Sequence, residues 1–217
     1  MGLSRLLVRA APVARQRGMG LVELMISITL GLLIVSGVAS MFIGTARSNT
    51  DLLVGVNLEH ELHTISDMML RDLRRAGGHG RPELLATGAA NPFTLGTPSA
   101  YGAEGANSCI EFSYDLDQDG VLDTGAGDER FGFRLRDQAV QVRRSGVACA
   151  IGGNWETMTD SARIRITALN FAVSQATANA MRVRSVRVTL TGQSAADADI
   201  TRTITREVRV RNDAYAP

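Results

Sequence analysis

Asp115, Asp117, Asp119 and Asp123 alternate around Gly120 in the stretch Asp115-Leu116-Asp117-Gln118-Asp119-Gly120-Val121-Leu122-Asp123. Carboxylates at the first, third, fifth and ninth places of such a frame can converge on one hard divalent cation. The carbonyl of Val121 at the seventh place would add a ligand, and the glycine at the sixth makes the sharp turn. Ala126 stands where the frame would place its final bidentate glutamate. Asp128 or Glu129 would therefore have to fold back in its stead, a path that Gly125 and Gly127 make available. The expectation is a calcium-stabilised loop between two strands, binding with a dissociation constant on the order of 10⁻⁴–10⁻³ M as in extracellular modules. The competing expectation is a solvated acidic turn whose carboxylates repel one another.

A second chemistry lies near the N-terminus. Arg5, Arg9, Arg15 and Arg17 precede Gly18-Met19-Gly20-Leu21-Val22-Glu23, after which no charged residue occurs from Leu24 to Ala46. At 1.5 Å rise per residue this run reaches roughly 35 Å, enough for the ~30 Å hydrocarbon core of a bilayer. A secretory signal has a shorter apolar core and a small-residue cleavage site behind it, so this segment is expected to be retained. A carboxylate inside such a run costs several kcal/mol, on the order of 3 by insertion scales, and needs compensation. Near a helix N-terminus the macrodipole favours Glu23, and a neighbouring ammonium could pair with it.

Gly18 followed by the hydrophobic Met19, with Glu23 at the fifth position beyond the glycine, resembles the type III signal of type IV prepilins and type II secretion pseudopilins. The resemblance implies that prepilin peptidase removes residues 1–18 and that the new amino group of Met19 is methylated. It also implies that Glu23 pairs with the terminal ammonium of a neighbouring subunit during assembly.

The elements that would position these groups follow from periodicity. Leu58, Leu62, Ile65, Met69 and Leu73 recur at steps of four and three, with Leu52 and Val56 extending the stripe upstream. This predicts one long helix from about Leu21 to Ala76, a membrane half over 19–46 and an amphipathic half over 47–76. Arg74, Arg75 and Gly77-Gly78 mark its end. Residues 77–108, with Pro82, Pro92 and Pro98, read as a long connection. From 109 to 217 the period becomes two: Ile110, Phe112 and Tyr114; then Phe131, Phe133 and Leu135; then Val140 and Val142 beyond a turn at Asp137-Gln138. Later strands are expected over 163–173, 181–191 and 200–211. Changes of phase near Thr167 and Ser185 predict a bulge or break at each. The fold class is therefore α+β and pilin-like: a long N-terminal membrane-spanning α-helix packed on a C-terminal antiparallel β-sheet, with an acidic loop over 115–129.

Within the superfamily, the chain is similar to PilW-type minor pilins. The residues that carry this likeness are Leu70-Arg71-Asp72-Leu73-Arg74-Arg75-Ala76-Gly77, Tyr114-Asp115-Leu116-Asp117 before Arg130-Phe131-Gly132-Phe133-Arg134-Leu135, Trp155-Glu156-Thr157-Met158-Thr159-Asp160, and Val208-Arg209-Val210-Arg211-Asn212-Asp213. The likeness implies a type IV pilus subunit that primes or caps the filament. Its partners would be other minor pilins, the major pilin, prepilin peptidase and a pilus-tip adhesin. A minor pseudopilin of type II secretion and a membrane-anchored, calcium-dependent surface or DNA-binding module are the alternatives.

Composition agrees with one membrane helix and one ordinary domain: 217 residues, net charge +1 and 45% hydrophobic. Every basic side chain other than histidine is arginine, and the arginines before the apolar run place the N-terminus in the cytoplasm of a bacterium by the positive-inside rule. The rest would be exported to the periplasm, with the protein in the inner membrane before assembly and in the pilus afterwards. There Cys109 and Cys149 would meet oxidising conditions and are expected to pair. His60 and His63 lack metal-site spacing and read as ordinary helix residues. Trp155 is expected in a crevice between sheet and helix, with carbohydrate stacking as the lesser reading. Arg182, Arg184, Arg187, Arg202, Arg206, Arg209 and Arg211 crowd the last two strands. Without interleaved aromatics they read as solvent-facing or salt-bridged positions, and nucleic acid is not the expected partner. No nucleophile–base pairing is apparent, so no enzyme is expected and no catalytic residue is assigned.

Overall fold

The computed structural model describes residues 18, 20–143, 145–178, 181–211 and 214–215. The leader before Gly18, Met19 and the closing Asn212-Asp213 lie outside the described residues. The chain forms two compact units, one up to Asn49 and the other from Thr50 onward.

Helix α1 runs from Leu21 to Leu73. In the first unit all its residues are exposed, and the helix is long and apolar enough to cross a membrane. Its few polar side chains bond to their own helix: Ser27 Oγ donates to the carbonyl of Glu23 at 2.7 Å, Ser40 Oγ to Gly37 at 2.8 Å and Thr45 Oγ1 to Met41 at 3.0 Å. In hydrocarbon that self-satisfaction is what lets hydroxyl side chains persist.

In the second unit the helix buries Gly55, Leu58, Leu62, Ile65, Ser66, Met69, Leu70 and Leu73. The upstream extension of the stripe is not part of this seat: Leu52 is 61% and Val56 62% exposed. At that level the space against the helix belongs to Arg202, whose Nη2 lies 2.8 Å from where a Cβ on Gly55 would stand. Beyond Leu73 the chain tightens into a turn, and Gly77, at φ +71°, donates its N–H to the carbonyl of Ser113 at 2.8 Å. A left-handed backbone at that place suits glycine. The connection that follows holds a short helix α2 (Pro82–Ala86) and two isolated bridges, Leu95 to Phe112 and Ser99 to Cys109.

The β-domain holds two antiparallel sheets where a single one was expected. The first orders β1 (Cys109–Ser113), β2 (Arg130–Arg136), β3 (Ala139–Arg143) and β4 (Trp155–Thr157) side by side. The second orders β5 (Ile164–Ala178), β6 (Met181–Ser194) and β7 (Thr201–Arg209), with β8 (Ala214–Tyr215) also paired to β6. The turn between β2 and β3 has φ +52° at Asp137 and +61° at Gln138, the primed geometry that matches the twist of a tight hairpin.

One apolar core joins the helix to both sheets. From the first sheet it takes Ile110, Phe112, Phe133, Leu135 and Val140, and from the second Ile164, Ile166, Leu169, Phe171, Val186, Val188 and Leu190. Gly192 lets the helix approach closely, since a Cβ there would come within 2.9 Å of Leu62 Cδ2. The pairing of β5 with β6 shifts register between Ile166 and Ala168, which is how Ile164 and Ile166 share a face with Leu169 and Phe171. No shift occurs at Ser185, where the ladder runs regularly from Thr191 to Met181. Val183 simply sits on the outer face, away from Val186 and Val188, toward the end of the hairpin remote from the core.

Candidate functional site

The acidic loop joins β1 to β2, with Asp115 two residues past one strand and Glu129 immediately before the next. Asp115 is buried and accepts three backbone N–H donors: Gln118 to Oδ1 at 2.6 Å, and Gly80 at 2.8 Å and Gly120 at 2.9 Å to Oδ2. Glu129, 1% exposed, accepts from the N–H of Leu116 and, at 3.2 Å, from that of Asp123. Asp117 is exposed and accepts the N–H of Asp119 at 3.1 Å. Oxygens of Asp115, Asp117 and Glu129 come within 4.8 Å of one another, an arrangement that could hold a metal ion. A carboxylate offers about four lone-pair sites, so accepting amide protons does not exhaust it.

The side chains of Asp119, Asp123 and Asp128 are not part of this group. Asp119 turns to the N–H of Val121 at 2.7 Å. Val121 is exposed, and the carbonyl of Asp123 accepts the N–H of Glu129 at 3.1 Å. Asp128 is engaged by Arg130, with Oδ2 2.6 Å from Nη2 and Oδ1 3.0 Å from Nε. The loop therefore closes through Glu129, while the middle of the expected frame forms local turns of its own.

Sequence reasoning missed Gly80. A Cβ there would stand 2.5 Å from the Cα of Gln118 and 2.7 Å from Asp115 Oδ2, so the close approach requires glycine. The glycines at 77, 78 and 80 were the visible signal, although the partner lies far along the chain. His79 packs edge-on against Phe93 beside this contact, with ring centroids 5.6 Å apart.

Burial works to raise the pKa of Asp115, but the N–H donors of Gly80, Gly120 and Gln118, with His79 nearby, outweigh it and hold the carboxyl below its ordinary range. Asp128 is also held low, chiefly by its hydrogen bond to Arg130 and against the effect of burial. A carboxylate lowered in the fold contributes stability that is present above its unfolded pKa and lost as pH falls through the folded one. Asp72, raised by burial, works in the opposite sense. Asp115→Asn should therefore flatten the acid limb of the melting curve below about pH 4. Thermal melts of both proteins between neutral and acid pH check this, since parallel curves would remove Asp115 from the acid response.

At the other end of the chain, Gly18 and Glu23 are both exposed. Glu23 occupies the first turn of α1, and the N–H of Leu24 bonds the carbonyl of Gly20 at 3.1 Å. The helix thus begins three residues beyond Gly18, with the carboxylate at its positive end.

Cys109 and Cys149 form a disulfide. It ties down the segment after β3 over the face of the first sheet that looks away from the helix. Arg134, 0% exposed, donates from Nη1 to the carbonyls of Cys149 at 3.1 Å and Ile151 at 2.9 Å, and from Nε to Gln141 at 2.9 Å. Its guanidinium lies 4.2 Å from the ring centroids of both Tyr101 and Trp155. Trp155 is therefore on the outer face, stacked on an arginine, and does not fill the expected crevice between sheet and helix. Burial lowers the pKa of Arg134 from the ordinary arginine value, against the upward pull of Tyr101.

The arginine strip divides. Arg187 pairs with Glu207 at 2.9 Å and Arg206 with Asp67 at 3.0 Å, while Arg206 Nη1 also lies 3.2 Å from His63 Nδ1. Beside them Arg163 pairs with Glu61 at 2.8 Å. The Arg206–Asp67 and Arg163–Glu61 pairs tie the β-domain to the helix, whereas Arg187–Glu207 joins β6 to β7.

The family model for prepilin peptidase-dependent protein B matches residues 51–210, and the model for the prokaryotic N-terminal methylation motif matches residues 13–39. No curated protein and no solved structure matches the chain. With the apolar helix, the methylation motif points to membrane anchoring and to processing by prepilin peptidase in a pilin-type assembly context. Since the first match spans most of the β-domain and the second covers the start of α1, the chain belongs to the prepilin peptidase-dependent protein B family and is a type IV pilin-like protein.

Proposed function

We propose that this protein is a PilW-type minor pilin, a non-catalytic subunit that enters a type IV pilus together with other minor pilins and primes its assembly. The observation that carries this reading is the uninterrupted helix Leu21–Leu73, which begins at the methylation motif and ends seated in the β-domain. Such a helix can serve first as a membrane anchor with the β-domain in the periplasm, then as the lateral contact between subunits. Glu23 neutralises the terminal ammonium of a neighbour, a pairing that is strong in low dielectric and specific in register. The test is the mass of the protein recovered from cells. Loss of residues 1–18 with a methylated Met19 supports the reading, and an uncut chain overturns it. Prepilin genes beside this one would favour the pilus, and a secretion operon would favour a type II pseudopilin.

The convergence of Asp115, Asp117 and Glu129 favours a second property, calcium held at the mouth of the β1–β2 loop. A cation there would relieve the repulsion between three close carboxylates. Millimolar calcium should raise the melting temperature of the full chain in detergent, an effect that EDTA reverses and Glu129→Gln removes. An unchanged melt in calcium and in EDTA would exclude the ion.

A further inference from the structure

Met68 and Asp72 share one face of α1, beside the buried stripe of Leu62, Ile65, Met69 and Leu73. Across from them lies β4, the last strand of the first sheet. Between the two is a cleft of about 240 Å³, lined also by Phe133, Thr157 and Met158. Phe133 is buried while Met68 is 48% exposed, so an apolar seat is left partly open to solvent. The pairing of β4 shows which of its backbone groups are already used. Met158 donates its N–H to the carbonyl of Val140 at 2.8 Å, so these two residues face each other as a hydrogen-bonded pair. Antiparallel ladders alternate, which makes Glu156 with Val142 the next such pair. Trp155 and Thr157 fall between, opposite Arg143 and Gln141, and their N–H and C=O groups point away from β3. Among the described residues no strand lies beyond this edge and no backbone group pairs with it.

We propose that this cleft is a docking groove for an extended segment of another polypeptide, which pairs as a strand with the open edge of β4, seats one aliphatic side chain against Phe133 and sets an arginine or lysine beside Asp72. A small apolar ligand could fill the seat, but it has no backbone N–H and C=O to offer Thr157. A strand supplies both, and its period of two lets one residue enter the cleft while its neighbours pass over the other face. The basic residue follows from Asp72, which is half-buried and whose carboxyl is raised by that burial against the pull of Arg75 and Arg71. A cation set against it restores part of the stabilisation that desolvation removes. Since β4 has three residues, the added strand is short, and the seat and the charge must supply much of the affinity. The groove owes nothing to processing at Gly18 or to the kind of filament, so a failure here would leave the proposed role standing.

A short fluorescein-labelled peptide of alternating valine and threonine, ending in arginine, can be titrated by fluorescence anisotropy with the full chain in detergent, taking protein-free micelles as the baseline. It should bind with a dissociation constant under about 1 mM. N-methylation of its amides, which blocks strand pairing and keeps every side chain, should weaken binding about tenfold. Thr157→Pro should do the same, because the N–H it removes is one that β3 does not use and an open edge accommodates proline. Asp72→Asn should erase the preference for this peptide over one ending in glutamate. Binding no stronger than to micelles, binding indifferent to N-methylation, or binding unchanged in Thr157→Pro would each overturn the groove. A preference that persists in Asp72→Asn would overturn the place given to the basic residue. If Thr157→Pro does not fold, the N-methylated peptide on the unaltered protein still decides.

Discussion

Glu23→Gln should leave the β-domain folded and abolish incorporation of the protein into filaments. Glu23 stands in the first turn of a helix whose remaining membrane segment carries no charge. Glutamine keeps the volume and the hydrogen-bonding capacity while removing the negative charge. On the proposed assembly what is lost is the partner for a terminal ammonium, and an ammonium left unpaired in hydrocarbon is costly enough to disfavour assembly at that position. Sheared filaments from cells expressing the variant should therefore lack the protein, while the membrane fraction retains it in processed form. Normal recovery from filaments would mean that the carboxylate is not the assembly contact.

Joint replacement of Cys109 and Cys149 by serine should cost about 4 kcal/mol, the chain-entropy value for a separation of 40 residues. Part of the loss would come from the strap over the first sheet. Arg134 and Arg143 hold that strap through backbone carbonyls, Arg143 by donating from Nε to Val147 at 2.7 Å. Freed from the covalent tether, the strap could lift and leave Arg134 without two of its acceptors, and a buried cation losing its partners is destabilising. Denaturant unfolding of the full chain in detergent, with and without the substitutions, measures the effect. A loss under about 1 kcal/mol would mean that the arginine contacts close the strap without help.

Local pattern carried the helix and the bulge. The stripe from Leu58 to Leu73 was legible because burial on one face follows the helical period. The bulge at Thr167 was legible because Ile164 and Ile166 change phase against Leu169 and Phe171 within one buried strand. The same change near Ser185 misled because Val183 lies where the hairpin no longer covers the core, so an apolar side chain there does not report an inward face. Leu52 and Val56 misled for a related reason: at their level Arg202 lies against the helix, and an apolar residue that stays exposed looks the same in sequence as one that is buried.

Contacts between distant segments were not legible. Asp115 showed its acidity in the sequence, but its N–H donor from Gly80 comes from beyond the helix end. Nothing local distinguished Glu129, which closes the loop, from Asp128, which Arg130 captures. Trp155 was misplaced because the first sheet is covered on both faces, by the helix on one and by the disulfide-bound strap on the other. A single alternating pattern registers only one of these.

The seat of α1 is finished by strand β7, as the contact between His63 and Arg206 shows across a separation of 143 residues. Bringing such distant segments together must overcome a large loop-closure entropy, and folds dominated by distant pairings form slowly. During synthesis the helix emerges long before its seat exists, with Leu58, Leu62 and Met69 uncovered. The order of events that follows is helix first and seat afterwards. If the β-domain lies in the periplasm as proposed, the nascent chain would cross the membrane before there was a finished domain to undo.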